Sequence, residues 1–147
     1  MNAPKSGGPK KQVAALPWRQ GETGLELLLV TSRETRRWVI PKGWPMKGKS
    51  ARGSAEQEAR EEAGVLGDMG KDPVGRYTYL KRTKRGDDLL CEVEVFALRV
   101  EKQRKSWPEK AQRDQAWMTP EAAAEAVNEP ELKAIIEGFA WARRNGG

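Results

Sequence analysis

Apolar residues first gather at Gln12–Leu16 and again at Leu25–Thr31 (LELLLVT), separated by the turn-rich Gln20-Gly21-Glu22-Thr23-Gly24. Short apolar runs bounded by glycine and polar residues predict two β-strands. Arg37–Ile40 (RWVI) predicts a third, stopped by Pro41, and residues 41–50 (PKGWPMKGKS) hold too many glycines and prolines for regular structure. From Ala51 to Ala63 alanine, glutamate and arginine dominate and Gly64 follows, which predicts a helix with a glycine stop. Tyr77–Lys81 and Leu89–Val100 are again strand-like, joined by a basic hairpin tip at Arg82–Asp88, and Gln115–Met118 predicts one more short strand. Thr119-Pro120-Glu121 starts a helix with Thr as N-cap and Pro in the first turn. Asn128-Glu129-Pro130 begins the last helix, where Leu132, Ile135, Ile136, Phe139 and Ala140 recur at helical spacing. Strands, a helix, strands and helices in that order predict one α/β domain, a mixed sheet with helices packed on it. Residues 1–10 offer nothing to bury and are expected to form a flexible tail ahead of a single domain over 11–147.

The smallest counts change the picture most. The 147 residues include no histidine and one cysteine, Cys91. That excludes Ser-His-Asp and Cys-His catalysis, histidine-containing zinc sites and an internal disulfide. Chemistry must then come from carboxylates, Lys, Arg, Tyr, Ser or Thr, or from a hard metal held by oxygen. The net charge of +6 favours an acidic partner without choosing among nucleic acid, an anionic surface and a polyphosphorylated small molecule. No apolar run approaches the roughly 18 residues of a membrane span. The polar start has no apolar run behind it as a secretory signal would, so a cytoplasmic protein is expected.

Glu58, Glu61 and Glu62 stand at i, i+3 and i+4 of the expected helix and share one face. Like charges at that spacing cost an isolated helix about 0.2–0.5 kcal/mol per pair. A divalent cation turns the repulsion into attraction, whereas a solvated glutamate-rich face is the plain alternative; spacing alone leaves both open. Arg60 points about 200° away from Glu58 and does not neutralise the cluster.

The residues around these glutamates carry more. Gly43, five residues, Lys49, seven residues, then Gln57-Glu58-Ala59-Arg60-Glu61-Glu62-Ala63-Gly64-Val65 resembles the Nudix box, G-x5-E-x7-R-E-U-x-E-E-x-G-U with U aliphatic. Gly43, Glu58, Glu61, Glu62, Gly64 and Val65 match in register, and Ala59 is a small version of the aliphatic position. Lys49 stands where the family has Glu, and Gln57 where it has Arg. Both changed together, which suggests a replaced supporting interaction. The segments RWVIPKGWPMKG, Tyr77–Lys81 and Trp117 before Thr-Pro-Glu extend the resemblance to residues 12–140 or so, closest to the branch of diphosphoinositol polyphosphate phosphohydrolases.

The resemblance implies an α/β/α sandwich and a Mg²⁺-dependent hydrolase, with Mn²⁺ as a substitute, that cleaves a phosphoanhydride. Diphosphoinositol polyphosphates and dinucleoside polyphosphates are the substrates it suggests. It assigns Glu58, Glu62 and the Gly43 carbonyl to the metal and Glu61 to a further metal or the general base, and the family varies in whether the residue at Glu61 or at Glu62 is that base. Arg33, Arg37, Lys42, Lys49, Lys81 and Arg82 become candidates for substrate phosphate, because guanidinium groups bind phosphate bidentately and lysines act as point charges. A degenerate domain that binds a phosphorylated ligand or RNA without cleaving it is the rival, and an RNA 5′-end pyrophosphohydrolase a variant of the enzyme. Trp38, Trp117 and Trp141 are expected in the core and Cys91 is expected to be a buried hydrophobe. Tyr77 and Tyr79 should share one sheet face. Trp44 either packs under the box loop or lines a pocket; Trp18 and Trp107 are unassigned.

Overall fold

The computed structural model describes residues 8–146; residues 1–7 of the expected tail lie outside the described residues. In chain order the elements are β1 (Lys10–Gly21), β2 (Gly24–Thr31), β3 (Trp38–Val39), β4 (Lys42–Gly43), α1 (Ala51–Ala63) and β5 (Val65–Met69). They continue as β6 (Gly75–Arg82), β7 (Asp88–Gln103), a 3₁₀ turn at Lys110–Gln112, β8 (Gln115–Met118), α2 (Pro120–Ala126) and α3 (Pro130–Asn145). The sheet runs β3-β2-β1-β7-β5, with β4 on β1, β6 on β7 and β8 on β2. Only β1 and β7 pair in parallel among the described residues, so the sheet is mixed, as expected.

Both faces of the sheet are covered, and this explains why β1 is buried without a break from Gln12 to Trp18. Ala14, Leu16 and Trp18 point to one face, where Leu27, Leu29, Val93 and Val95 meet Ala123, Leu132 and Ile136 of α2 and α3. Val13 and Ala15 point to the other, where Leu28, Val30, Phe96 and Leu98 meet Ala55, Ala59 and Ala63 of α1. Three alanines at i, i+4 and i+8 let α1 lie close to the sheet, and the closeness carries its carboxylates inward.

Local chemistry fixes the ends of α1. Ser50 accepts a hydrogen bond from the Gly53 N–H at 3.0 Å as N-cap, an interaction whose loss costs about 1 kcal/mol. Gly64 closes the helix in the left-handed region (φ 70°), and a Cβ there would overlap the indole of Trp107. The bounds of α1 match the expectation to the residue. Elsewhere the structure corrects it. Lys42–Gly43 pairs with Val13 and Ala14 despite its proline-rich surroundings, because the edge of β1 offers free backbone partners there. β5 was not foreseen, and β1 starts at Lys10, inside the expected tail. Trp38 and Trp117 pack against the cores, but Trp141 is 68% exposed, because its helix position falls outside the stripe of Leu132, Ile136 and Ala140.

Candidate active site

The three box glutamates diverge in environment although they share a helix face. Glu62 is buried at 7% side-chain exposure, and its Oε1 accepts the Lys42 N–H at 3.3 Å. Glu58 is half-buried and lies close against the Glu62 carboxyl. Burial, then the neighbouring charges of Glu62, Glu61 and Glu109, push the Glu58 carboxyl up to about 8. Burial also raises Glu62, against the opposing pull of Arg113 and Lys42. Glu61 is turned along the helix, where its Oε2 accepts from Gln57 Nε2 at 2.7 Å. Gly43 lies against Glu58 so closely that a Cβ would overlap the carboxylate. Glycine at this box position leaves room for the Glu58 carboxylate where it now lies, and the backbone makes no left-handed turn there.

The loop between β7 and β8 completes the cluster. Arg113 reaches Glu62 at 3.5 Å and Glu109 at 2.8 Å and donates to the Thr31 carbonyl at 3.0 Å, with only 10% of its side chain exposed. The Glu109 N–H donates to the Glu61 carbonyl at 3.0 Å, and Trp107 Nε1 donates to the Glu62 carbonyl at 3.2 Å. Glu109 and Arg113 were missed in the sequence. Their segment, residues 104–114, reads as a solvated charged loop, and nothing in its spacing reports the long-range contact with α1.

The cations anticipated for substrate phosphate fall into two groups. Lys42 lies near Tyr79, its Nζ 5.0 Å from the ring centre, and within electrostatic reach of Glu62, Glu129 and Lys81. Burial outweighs the two acidic neighbours and lowers its pKa. Lys81 shares the Tyr79 face of β6, and Arg37 reaches Glu129 at 3.5 Å. These three gather on one side. Arg33 instead donates to Gln112 at 3.1 Å, and Arg82 is turned to Asp88 at 2.8 Å on the exposed hairpin. Lys49 is exposed, and no hydrogen bond joins it to Gln57 among the described residues; the replaced interaction expected between them is instead a Gln57–Glu61 bond. Tyr77 and Tyr79 share a face, and Cys91 is buried, as expected.

The residues fit a hard divalent cation in chemistry: two crowded, desolvated carboxylates, a third on the same helix, a fourth from the loop, and a backbone carbonyl at a glycine that approaches them. As they stand, no three acidic, cysteine or histidine side chains among the described residues form a ligand set, and Glu61 is hydrogen-bonded to Gln57.

Comparison with known proteins gives the same family as the box. The profile of the NUDIX domain matches residues 8–139. Nudix hydrolase 16, mitochondrial, of Arabidopsis thaliana is 32% identical over 119 residues, 78% of this chain and 66% of that protein. The chain thus spans just under two thirds of the length of that relative. Diphosphoinositol polyphosphate phosphohydrolase 3-alpha of Mus musculus is 29% identical over 122 residues, 82% of this chain and 70% of that protein. Among solved structures, a C. elegans Ap4A hydrolase binary complex superposes with a TM-score of 0.70 at 20% identity, over 94% of this chain and 99% of that one, a likeness of fold. No helix among the described residues is long and apolar enough to cross a membrane.

Proposed function

The chain belongs to the Nudix family, and from that premise we propose that it is a Mg²⁺-dependent hydrolase of a phosphoanhydride bond in a polyphosphorylated small molecule. The observation that carries this reading is the crowding of Glu58 against Glu62 beside Gly43. Glu58, Glu62 and the Gly43 carbonyl would hold the ion, with Mn²⁺ as a substitute. Such an ion supplies charge neutralisation on the phosphates and a more acidic water.

The protein's own groups do the rest. Glu61, once released from Gln57, takes a proton from the attacking water onto its carboxylate. The water oxygen bonds to phosphorus as the bridging P–O bond breaks, and the departing phosphate carries the electron pair. Lys42, Lys81 and Arg37 hold the phosphate oxygens, and exposed Lys49 extends the same charge along the box loop. Arg113 opposes the effect of burial on the Glu62 carboxyl and holds it in place. The unpaired Cys91 suits a reducing compartment, in keeping with a cytoplasmic protein.

A second reading, a domain that binds a phosphorylated ligand without cleaving it, is favoured by the Gln57–Glu61 bond. Both are tested by incubating the protein with Mg²⁺ and a diphosphoinositol polyphosphate, a dinucleoside polyphosphate, a nucleotide sugar and a 5′-triphosphate RNA. Release of phosphate or nucleotide, abolished by EDTA, supports the enzyme. No turnover, with tight binding that survives EDTA, supports the binder.

A further inference from the structure

Glu129 stands at the N-cap of α3, yet its side chain makes no capping bond. It turns instead toward the cationic side of the site, where Oε2 lies 3.5 Å from Arg37 Nη1. Its Oε1 is fully buried and has no hydrogen-bond partner, and it is alone in this among the side chains of the described residues. A carboxylate that gives up its own helix and hides an oxygen from water costs stability unless something donates to it. Lys42 and the buried Tyr77 both lie within electrostatic reach of Glu129, but neither donates to Oε1, and the Lys42 ammonium lies over the Tyr79 ring. Tyr79 itself donates to Gln12 at 2.7 Å, so its hydroxyl hydrogen is already committed.

We propose that Glu129 is a specificity-determining residue whose free oxygen accepts a hydrogen bond from a sugar hydroxyl or a base amino group of a nucleoside polyphosphate. The inference rests on the reading of the site as a polyphosphate site and narrows its substrate class. A phosphate cannot complete Glu129, because two anions would then face each other across a buried contact. An inositol whose ring oxygens are all phosphorylated has no hydroxyl left to donate. A nucleoside has both hydroxyls and, in adenine, an amino group. Glu129 therefore discriminates against the fully phosphorylated ligand by repulsion and for the nucleoside by a hydrogen bond, and a site built to pair a donor rejects a ligand lacking it.

The test is equilibrium binding of ATP and of inorganic tripolyphosphate, a matched chain of phosphates without the nucleoside, by calorimetry with Ca²⁺ in place of Mg²⁺ to slow turnover. The wild type should bind ATP at least fivefold more tightly than tripolyphosphate. Glu129→Ala should shift the ratio of the two dissociation constants at least fivefold against ATP. Glu129→Gln, which keeps an acceptor oxygen and the shape, should shift it less. A wild-type preference below fivefold, or a ratio that moves less than fivefold in Glu129→Ala, overturns the proposal, including the case in which both ligands weaken together because Glu129 is only structural. With 2′,3′-dideoxy-ATP, loss of the Glu129 dependence assigns the donor to the sugar, and its persistence assigns the donor to the base. Binding is read without cleavage, so a protein that hydrolyses nothing still reports on Glu129, and one that hydrolyses ATP with an unmoved ratio overturns Glu129 alone.

Discussion

Arg113 lies 3.5 Å from Glu62, and both side chains are about nine-tenths buried, so the helix carboxylate most withdrawn from water has its cationic partner 51 positions away. Removing one partner of a buried pair leaves the other uncompensated, at a cost of about 3 kcal/mol. Arg113→Ala should lose roughly that amount of unfolding free energy in urea at neutral pH. Mg²⁺ should restore more stability to this variant than to the wild type, since the ion replaces the missing cation. Equal Mg²⁺ effects on the two proteins would show that Arg113 and the metal do not share Glu62.

Gly43→Ala places a methyl group where Glu58 now lies, although the backbone there makes no left-handed turn. The variant is expected to fold, with thermal unfolding near that of the wild type, and to bind Mn²⁺ at least tenfold more weakly by calorimetry. Unchanged Mn²⁺ affinity would remove Gly43 and Glu58 from the metal site.

Gln57 donates to Glu61 at the position where the box has arginine. Gln57→Ala frees the carboxylate to rotate, and kcat should rise several-fold with KM little changed, because Glu61 accepts the proton only once released from this tether. A change confined to KM would place Glu61 in substrate binding instead.

The raised Glu58 carboxyl sets a pH dependence. The folded protein keeps the Glu58 proton up to about pH 8, whereas the unfolded chain releases it near its ordinary value of 4.5. Between these values the folded state binds more protons, so the stability of the metal-free protein falls as pH rises through this window. Thermal unfolding in EDTA should show that fall in the wild type and a shallower one in Glu58→Gln. Identical slopes would contradict the assignment.

Much of this was legible in the sequence where the determinants are local. The helix from Ala51 to Ala63 has its cap, its glycine stop and its alanine stripe within one segment, and the spacing of Gly43, Glu58, Glu61 and Glu62 gave the family. What escaped depends on partners far along the chain. β5 is five residues interrupted by Gly67 and exists because β7 pairs with it. Glu109 and Arg113 sit in a loop whose composition looks solvated. Glu129 resembles an ordinary helix start before Pro130, and only the packed structure shows that it does not cap. Arg82 continues the basic run after Lys81, but alternation along β6 turns it away from the Tyr79 face to pair with Asp88.

The most direct measurement is the Mg²⁺-dependent rate of phosphoanhydride cleavage for the wild type, Glu61→Gln and Glu62→Gln on the best substrate of the panel. Each substitution keeps the side-chain shape and removes one negative charge. Cleavage should require Mg²⁺ and fall by at least a hundredfold in kcat/KM in both variants, about 2.7 kcal/mol of transition-state stabilisation each. Wild-type rates in both variants would contradict the placement of the chemistry on this helix.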